Sequence, residues 1–215
     1  MSHLDYKPFY RCRLPHWQPR NVPIFLTWRL AGSLPRHVLE ALAAERESLE
    51  KDPRSKDINT DWQVAQRKRL FAKWDDGLHR GDAGPQWLAV PEIAECVQQV
   101  LHDLSRELYT LHAYTLMPNH VHVLLTPAEE AESETPYSLG MISQRIKGSS
   151  ARQANALLDR TGQPFWSRES YDHWIRTPQE FERVLAYTLN NPISAGLVTD
   201  WDAWRWHWLA EDLLV

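Results

Sequence analysis

The sequence predicts an α+β fold of ferredoxin-like type, in which helices cover one face of an antiparallel sheet and a further helix follows towards the C-terminal end. The 215-residue chain is 43% hydrophobic and contains 11 tryptophans, which is typical of a globular protein with a core. Short runs of β-branched and aromatic residues alternate with runs in which apolar residues recur every three or four positions. Apart from one charged stretch, the order of these runs is strand, helix, strand, strand, helix, strand, helix.

Four segments are predicted to be strands because they are short and rich in β-branched or aromatic residues. They comprise residues 22–30, 108–117 and 120–126, and a fourth that is indicated by Phe165 and residues 171–176. Pro118 and Asn119 separate the second segment from the third, and these two residues suit a tight turn. The spacing of the tryptophans after residue 200 predicts an extended tail that packs on the rest of the protein.

Helices are predicted where apolar residues recur at helical spacing, over residues 39–49, 62–74, 91–105 and 138–158. A last helix has the clearest start, because Thr177 can cap it, Pro178 suits its first position and Glu180 stands three residues after the cap. Pro192 disfavours helical geometry at the residue before it, so this helix is predicted to end at Asn191.

The whole chain, 1–215, is predicted to form one domain, with a core of residues 20–35 and 90–198. The segment from about 49 to 85 is rich in charge, Asp, Gly and Pro, and we interpret it as an insertion; residues 199–215 form the tryptophan-rich tail. The two cysteines give no disulfide framework or zinc-finger spacing, and no apolar run approaches the ~20 residues that span a bilayer. We therefore expect a protein of the reducing cytoplasm.

The overall charge does not by itself indicate a nucleic-acid-binding protein, since the formal net charge is −4 and the isoelectric point is about 6.2. Basic groups are nevertheless concentrated locally. Residues 1–30 hold five of them against one acid, and residues 141–176 hold six against three. Such regions could bind phosphate while the rest of the chain stays acidic, and ordinary surface charge explains them equally well.

His120 and His122 form a candidate metal site. Because side chains alternate along a strand, both imidazoles are expected on one face, about 6–7 Å apart along the chain, while Val121 points into the core. Two neutral imidazoles on one face can share a divalent cation. The pair alone is equally compatible with the polar face of an amphipathic strand, so a third ligand is needed to strengthen the case.

Tyr187 and Asn191 lie four residues apart on the last predicted helix, hence on the same face one turn apart. The amide oxygen of Asn191 could complete a metal site while Tyr187 directs its hydroxyl at a metal-bound phosphate. A phenol has an ordinary pKa near 10 and becomes a useful nucleophile only when its proton is removed or a cation lies nearby. Taken without the histidines, the two residues would be ordinary packing and helix-terminating residues.

Three blocks occur in order along the chain: MPNHVHVLL at 117–125, YDHWIR at 171–176 and YTLNNPISAGLV at 187–198. Together they resemble the REP-associated tyrosine transposases. These are single-tyrosine members of the HUH (His-hydrophobic-His) nuclease superfamily, related to the transposases of small single-strand insertion elements. The resemblance spans about residues 108–198, with a weaker match at the first strand.

The resemblance implies a ferredoxin-like protein that uses Mg²⁺ or Mn²⁺, with His120, His122 and Asn191 as metal ligands. It implies that Tyr187 attacks a DNA phosphate, forms a 5′-phosphotyrosine link and releases a 3′-hydroxyl that can later rejoin. The implied substrate is single-stranded DNA next to a short imperfect palindromic hairpin, and the implied setting is the nucleoid. The protein would act as a monomer or homodimer. Tyr171 is the rival nucleophile, but its predicted strand position favours a packing role.

Further basic residues are candidates for DNA binding. Three of them are interleaved with Tyr10 and Trp17 near the start of the chain, where cations can meet phosphates and rings can stack on bases: Arg11, Arg13 and Arg20. Arg145 and Lys147, on the predicted helix over residues 138–158, could contact phosphate or assist the leaving group. A solvated helix face is an equally good interpretation of these last two.

Two other functions remain open from the residues alone. The chain could be a non-catalytic, co-opted hairpin-DNA-binding protein of the same fold, whose binding would be indifferent to metal and to loss of His120. It could also be a histidine-metal hydrolase of small molecules. The second alternative has less support, because no glutamate suited to activating water lies close to the histidine pair in sequence.

Overall fold

The computed structural model describes residues 21–56, 61–81, 83–129 and 136–213. The described residues divide into two compact units, one formed by those between 21 and 31 together with those between 86 and 213, and one formed by those between 32 and 85. We call them the main unit and the helical unit. The helical unit begins at Gly32, earlier than the insertion proposed from sequence at about residue 49.

The main unit is built on a five-stranded antiparallel sheet. Its strands are β1 (Ile24–Leu30), β2 (Tyr109–Leu116), β3 (His120–Pro127), β4 (Trp166–Trp174) and β5 (His207–Leu209). Their order across the sheet is β4-β1-β3-β2-β5, and every neighbouring pair is antiparallel. The first four strands have the arrangement of a ferredoxin-like sheet, so the predicted fold class is confirmed.

The helices among the described residues are α1 (Arg36–Lys51), α2 (Asp61–His79), α3 (Pro91–Ser105), α4 (Leu139–Leu157) and α5 (Pro178–Ser194). The first two belong to the helical unit and the other three to the main unit. The starts of α3 and α5 were predicted correctly, because proline occupies the first turn of each. None of these helices is long and apolar enough to cross a membrane.

The main core lies between one face of the sheet and helices α3 and α4. Alternate residues of each strand point into it, as Val121, Val123 and Leu125 do in β3. Trp28 of β1 is completely buried there, and each large apolar side chain in such a position stabilises the fold by about 1.5–3 kcal/mol. Because these residues pack into the main core, the residues that alternate with them in β3, including the two histidines, must lie on the other face of the sheet.

The tail after residue 200 forms the edge strand β5, which pairs with β2. The backbone N–H of Leu116 donates to the carbonyl oxygen of Trp206 at 2.8 Å, and the indole N–H of Trp204 donates to the carbonyl oxygen of Leu116 at 3.0 Å. The tail thus covers part of the outer edge of β2, which would otherwise present unpaired backbone groups.

Helix α5 lies on the opposite face of the sheet. Leu124, which points away from the main core, packs there with Ala113 and Ile175. The α5 side chains packed against this cluster are Phe181, Val184 and Leu185. This arrangement carries Tyr187, one turn or less further along α5, across the sheet face that bears the two histidines.

The prediction that α5 ends at Asn191 is wrong, since the helix continues through Pro192 to Ser194. Proline has no N–H and cannot donate to the carbonyl oxygen four residues earlier, which belongs to Thr188. The side-chain hydroxyl of Thr115 on β2 donates to that oxygen instead, at 2.8 Å. A contact from the sheet therefore replaces the helical hydrogen bond that the proline removes.

The helical unit pairs α1 with α2. Glu45 of α1 forms ion pairs with Arg69 and Lys73 of α2, at 3.1 and 2.7 Å. Gly77 of α2 lies against the segment that leads into α1, because a Cβ added there would be 3.0 Å from Leu34 Cδ2. Within this unit a close approach of the chain therefore requires the smallest residue at position 77.

Candidate metal and tyrosine site

Strand pairing sets the positions of the two histidines. In the β1–β3 register, Thr27 is the Cα partner of His122 and Arg29 is the Cα partner of His120. Both imidazoles are completely buried on the sheet face that α5 covers. The alternation predicted from the sequence therefore places the pair on one face, away from the main core.

The ring nitrogens of the pair face each other. His120 Nε2 and His122 Nε2 are 3.0 Å apart, and the two rings are nearly perpendicular. On the far side of each ring a polar group lies next to Nδ1. Asn119 Oδ1 is 2.6 Å from His120 Nδ1, and Thr27 Oγ1 is 2.8 Å from His122 Nδ1. An amide oxygen only accepts, so Nδ1 of His120 carries the proton and its Nε2 keeps a lone pair; the threonine hydroxyl can accept in the same way.

This arrangement fits a divalent cation. When the Thr27 hydroxyl accepts from Nδ1 of His122, the Nε2 lone pairs of both histidines face each other across 3.0 Å, and they repel unless positive charge lies beside them. Nitrogens at about 2.1 Å from one ion, and at right angles about it, are about 3.0 Å apart. Hydrogen bonds on the far nitrogens of ligating histidines are the usual means of fixing ring orientation. His120 and His122 can therefore each offer one ring nitrogen to a metal ion.

Tyr187 lies beside His122 of the same chain. Their ring centroids are 5.7 Å apart in an edge-to-face arrangement, and the tyrosine ring makes a similar contact with Phe25 at 5.8 Å. The tyrosine is 37% exposed, so its environment combines a packed ring edge with access from solvent. The structure thus brings the predicted nucleophile next to one of the predicted metal ligands without a second copy of the chain.

The start of α5 is fixed by its cap. Thr177 Oγ1 accepts from the N–H of Glu180 at 3.1 Å, and Glu180 in turn accepts from the N–H of Arg176 at 3.0 Å and contacts His173 Nε2 at 2.8 Å. These bonds join the end of β4 to the first turn of α5. Because Tyr187 follows Glu180 by about two turns, they also set the position of its helix on the sheet.

Asn191 stands one turn beyond Tyr187, as predicted, and is 1% exposed. Its backbone carbonyl oxygen accepts from the N–H of Ala195 at 3.0 Å and so belongs to the continuing helix. The burial shows that its side chain points into the protein rather than into solvent. Its role as third metal ligand stays a prediction.

Comparison with known proteins gives a match among solved structures. No protein-family model and no curated protein matches the chain. Among solved structures, it is similar to a REP-associated tyrosine transposase bound to a REP hairpin, with a TM-score of 0.50 and 13% sequence identity over 96% of this chain and 82% of that one. The chain shares the fold of that transposase. At this identity the likeness concerns the fold, and the roles of individual residues are argued from the geometry above.

The rival tyrosine occupies a different position on this transposase-like fold. Tyr171 lies in β4, as predicted, where it is the Cα partner of Thr27. It is 6% exposed and its ring meets the edge of Phe25 at 6.2 Å. Phe25 thus contacts both tyrosines, and of the two Tyr187 is the one accessible to a large substrate.

A buried ion pair beside the histidines gave no signal in the sequence. Arg29, the strand neighbour of His120, bonds to Glu169 of β4 at 3.3 Å, and both side chains are almost completely buried. Lys147 of α4 approaches the same place, where its amine donates to the carbonyl oxygens of Arg168 and Glu169 at 3.3 and 3.4 Å. Burial, together with the positive charge of Arg29, lowers the pKa of Lys147 to about 8.

The remaining DNA-binding candidates are distributed unevenly. Arg145 is exposed on α4, whereas Lys147 is half-buried and would have to leave two carbonyl acceptors to reach a phosphate. Arg145 is therefore the better placed of the two. The other three candidates lie outside the described residues: Arg11, Arg13 and Arg20.

Proposed function

We propose that this chain is a metal-dependent enzyme that cuts and rejoins single-stranded DNA, with Tyr187 as its nucleophile. The observation that carries the proposal is the contact between the exposed Tyr187 ring and the buried ring of His122 in one chain. The transposase of similar fold is bound to a REP hairpin, which supports a single strand next to a short hairpin as the substrate.

His120, His122 and Asn191 would hold Mg²⁺ or Mn²⁺, and such an ion would supply positive charge that makes a bound phosphate more electrophilic. The hydroxyl oxygen of Tyr187 forms a bond to the DNA phosphorus as the bond from phosphorus to the 3′ oxygen breaks. The tyrosine gives up its proton to a base, and the leaving 3′ oxygen takes one to become a free hydroxyl. The product is a 5′-phosphotyrosine, and attack by a 3′-hydroxyl on the same phosphorus rejoins a strand and restores the tyrosine.

The proposal is tested by trapping the covalent product. A 3′-labelled single strand carrying a hairpin is incubated with the protein and Mn²⁺, then separated under denaturing conditions, because a 5′-phosphotyrosine link retains the 3′ portion of the strand. We expect a protein–DNA adduct that Tyr187→Phe abolishes and that the matched variant Tyr171→Phe retains. An adduct that survives Tyr187→Phe and disappears with Tyr171→Phe would show that Tyr171, and not Tyr187, is the nucleophile. Hairpin binding without any adduct, unchanged by a chelator and by His120→Ala, would instead establish the non-catalytic DNA-binding function.

The same contact leads us to propose that Tyr187 serves the histidines of its own chain, whether the protein is a monomer or a homodimer. Mixing Tyr187→Phe protein with His120→Ala protein tests this. When each chain uses its own tyrosine, no mixture of the two variants contains a complete site and no adduct forms. If the mixture regains activity, the tyrosine acts on a partner's histidines.

A further inference from the structure

One helix of this acidic protein carries basic residues and no acidic ones. Residues 136–158, which contain α4, include Arg145, Lys147 and Arg152 but no Asp or Glu. Lys147 is directed towards the carbonyl groups of β4, while the two arginines are exposed. The sheet side of α4 is formed by other residues, among them Ile142 and Ile146. The arginines therefore lie on the outer part of the helix.

The two arginines also lack carboxylate partners within the part of the chain that the structure describes. Elsewhere in that part, some exposed arginines do form such pairs: Arg36 with Glu40 and Arg205 with Glu95, at 2.7 and 2.9 Å. Their positive charge is available to an external anion.

A shallow groove of about 330 Å³ lies between the two arginines, and its other lining residues are Met141, Gln144, Gly148 and Ser149. Gly148 stands in the interior of α4, where glycine is less favourable than alanine. A Cβ added at this position would meet no described atom within 4 Å, so no contact inside that part of the protein requires a glycine. Gly77 is different, because its neighbours leave no such room. A glycine at position 148 leaves the helix backbone open to close approach by a ligand.

We propose that these six residues, the α4 basic face, bind the sugar-phosphate backbone of a nucleic-acid duplex, namely the stem of the hairpin. The proposal rests on the proposed function for the presence of a hairpin. Arg145 and Arg152 are seven residues apart, hence about 10.5 Å along the helix axis, which is comparable to the grooves of about 6–12 Å in a duplex. Gln144 and Ser149 add neutral donors for phosphate oxygens.

The composition of the α4 basic face favours a duplex over a single strand. Proteins that bind single strands combine positive charge with aromatic side chains on which bases stack. The α4 basic face contains no aromatic residue. Its chemistry is that of backbone contacts, which position a duplex without reading its sequence.

The test measures binding of a fluorescent hairpin stem without single-stranded flanks, by anisotropy between about 50 and 200 mM salt. Relative to wild type, the double variant Arg145→Gln/Arg152→Gln should bind about tenfold more weakly or worse, and the slope of log K against log salt should fall by about 2. Arg106→Gln, which removes one exposed charge outside the α4 basic face, is the control and should stay within about twofold of wild type. Gly148→Ala should raise the melting temperature yet weaken binding, and Gly148→Leu should weaken it further.

The outcomes separate this proposal from the proposed function. If the double variant binds the stem as tightly as wild type, while wild type forms the Tyr187 adduct, the α4 basic face is not the docking surface and the function stands. If wild type prefers an unstructured strand of equal length to the stem, the docking proposal fails whatever the adduct assay shows. If Arg106→Gln weakens binding as much as the double variant, the effect is one of net charge and the assignment to α4 is wrong.

Discussion

The hydroxyl of Thr115 on β2 donates a hydrogen bond of 2.8 Å to the carbonyl oxygen of Thr188 on α5. In a regular helix this oxygen would accept from residue 192, which is a proline here. Thr188 directly follows Tyr187, so the bond fastens to the sheet the turn of α5 that carries the proposed nucleophile. Because Pro192 leaves this oxygen without its helical donor, the oxygen is available to Thr115, and the resulting bond connects α5 to the sheet that bears the two histidines.

Replacing Thr115 by valine should leave the carbonyl oxygen of Thr188 buried without its donor. We expect Thr115→Val to lower the free energy of unfolding by about 1–3 kcal/mol, measured by urea denaturation. Pro192→Ala restores a backbone N–H four residues after Thr188, which can replace the lost donor. The free energy of unfolding of the double variant Thr115→Val/Pro192→Ala should therefore fall by less than the sum of the effects of the two single substitutions. Simple additivity would show that this hydrogen bond does not couple the two positions.

Thr27 should control metal binding through His122. Its hydroxyl lies 2.8 Å from Nδ1 of that histidine, on the side of the ring away from the facing nitrogens. Thr27→Val keeps the shape but removes the hydroxyl, and losses of such contacts typically weaken metal binding 10- to 100-fold. Titration with Mn²⁺, followed by electron paramagnetic resonance, measures this change. Thr27→Ser keeps the hydroxyl and should bind within a fewfold of wild type; equal weakening in both variants would count against the role.

Lys147 should make stability depend on pH above neutrality. Its pKa is about 8 in the folded protein, against an ordinary value of 10.5, because burial and the charge of Arg29 disfavour its protonated form. Between these two pH values the unfolded chain binds more protons than the folded protein. The buried charge of Lys147 therefore destabilises the folded protein fully below about pH 8, and this destabilisation disappears as the pH rises towards 10.5. As the pH rises over this range, the free energy of unfolding of wild type should therefore increase by on the order of 1–3 kcal/mol relative to that of Lys147→Met. Urea denaturation at several pH values measures the difference, which would stay constant if the amine titrated normally.

Rules that depend on neighbours in the sequence predicted the starts of helices and the faces of strands. Proline in the first turn indicated where α3 and α5 begin, and alternation in β3 placed His120 and His122 together. The same kind of rule failed at Pro192, because the group that compensates for the missing N–H belongs to a distant strand. No pattern around position 192 contains information about Thr115.

The supporting residues of the site could not be identified from sequence for the same reason. Thr27 reaches His122 only through the register of β1 against β3, and Arg29 meets Glu169 only when β4 joins the other side of β1. Lys147 is two residues from Arg145, so the two side chains point to opposite sides of the helix, but this spacing does not predict that the amine of Lys147 meets backbone carbonyls of β4. The residues proposed to carry the chemistry have recognisable types, whereas their partners are ordinary residues defined by tertiary contacts.

The two glycines in the middle of helices α2 and α4 should respond oppositely to alanine. Alanine is about 1 kcal/mol more favourable than glycine inside a helix, and at Gly148 the added Cβ would meet open space, so Gly148→Ala should raise the free energy of unfolding by roughly that amount. At Gly77 the Cβ would be 3.0 Å from Leu34 Cδ2 and 3.4 Å from Val38 Cγ1, and Leu34 is buried. Displacing the Leu34 side chain should lower the free energy of unfolding by about 1–3 kcal/mol through overpacking. This loss should cancel or reverse the stabilisation that alanine brings to the helix. Thermal and urea denaturation of the two variants side by side measure the contrast, and equal stabilisation by both would mean that the helical unit adapts to the added methyl group without cost.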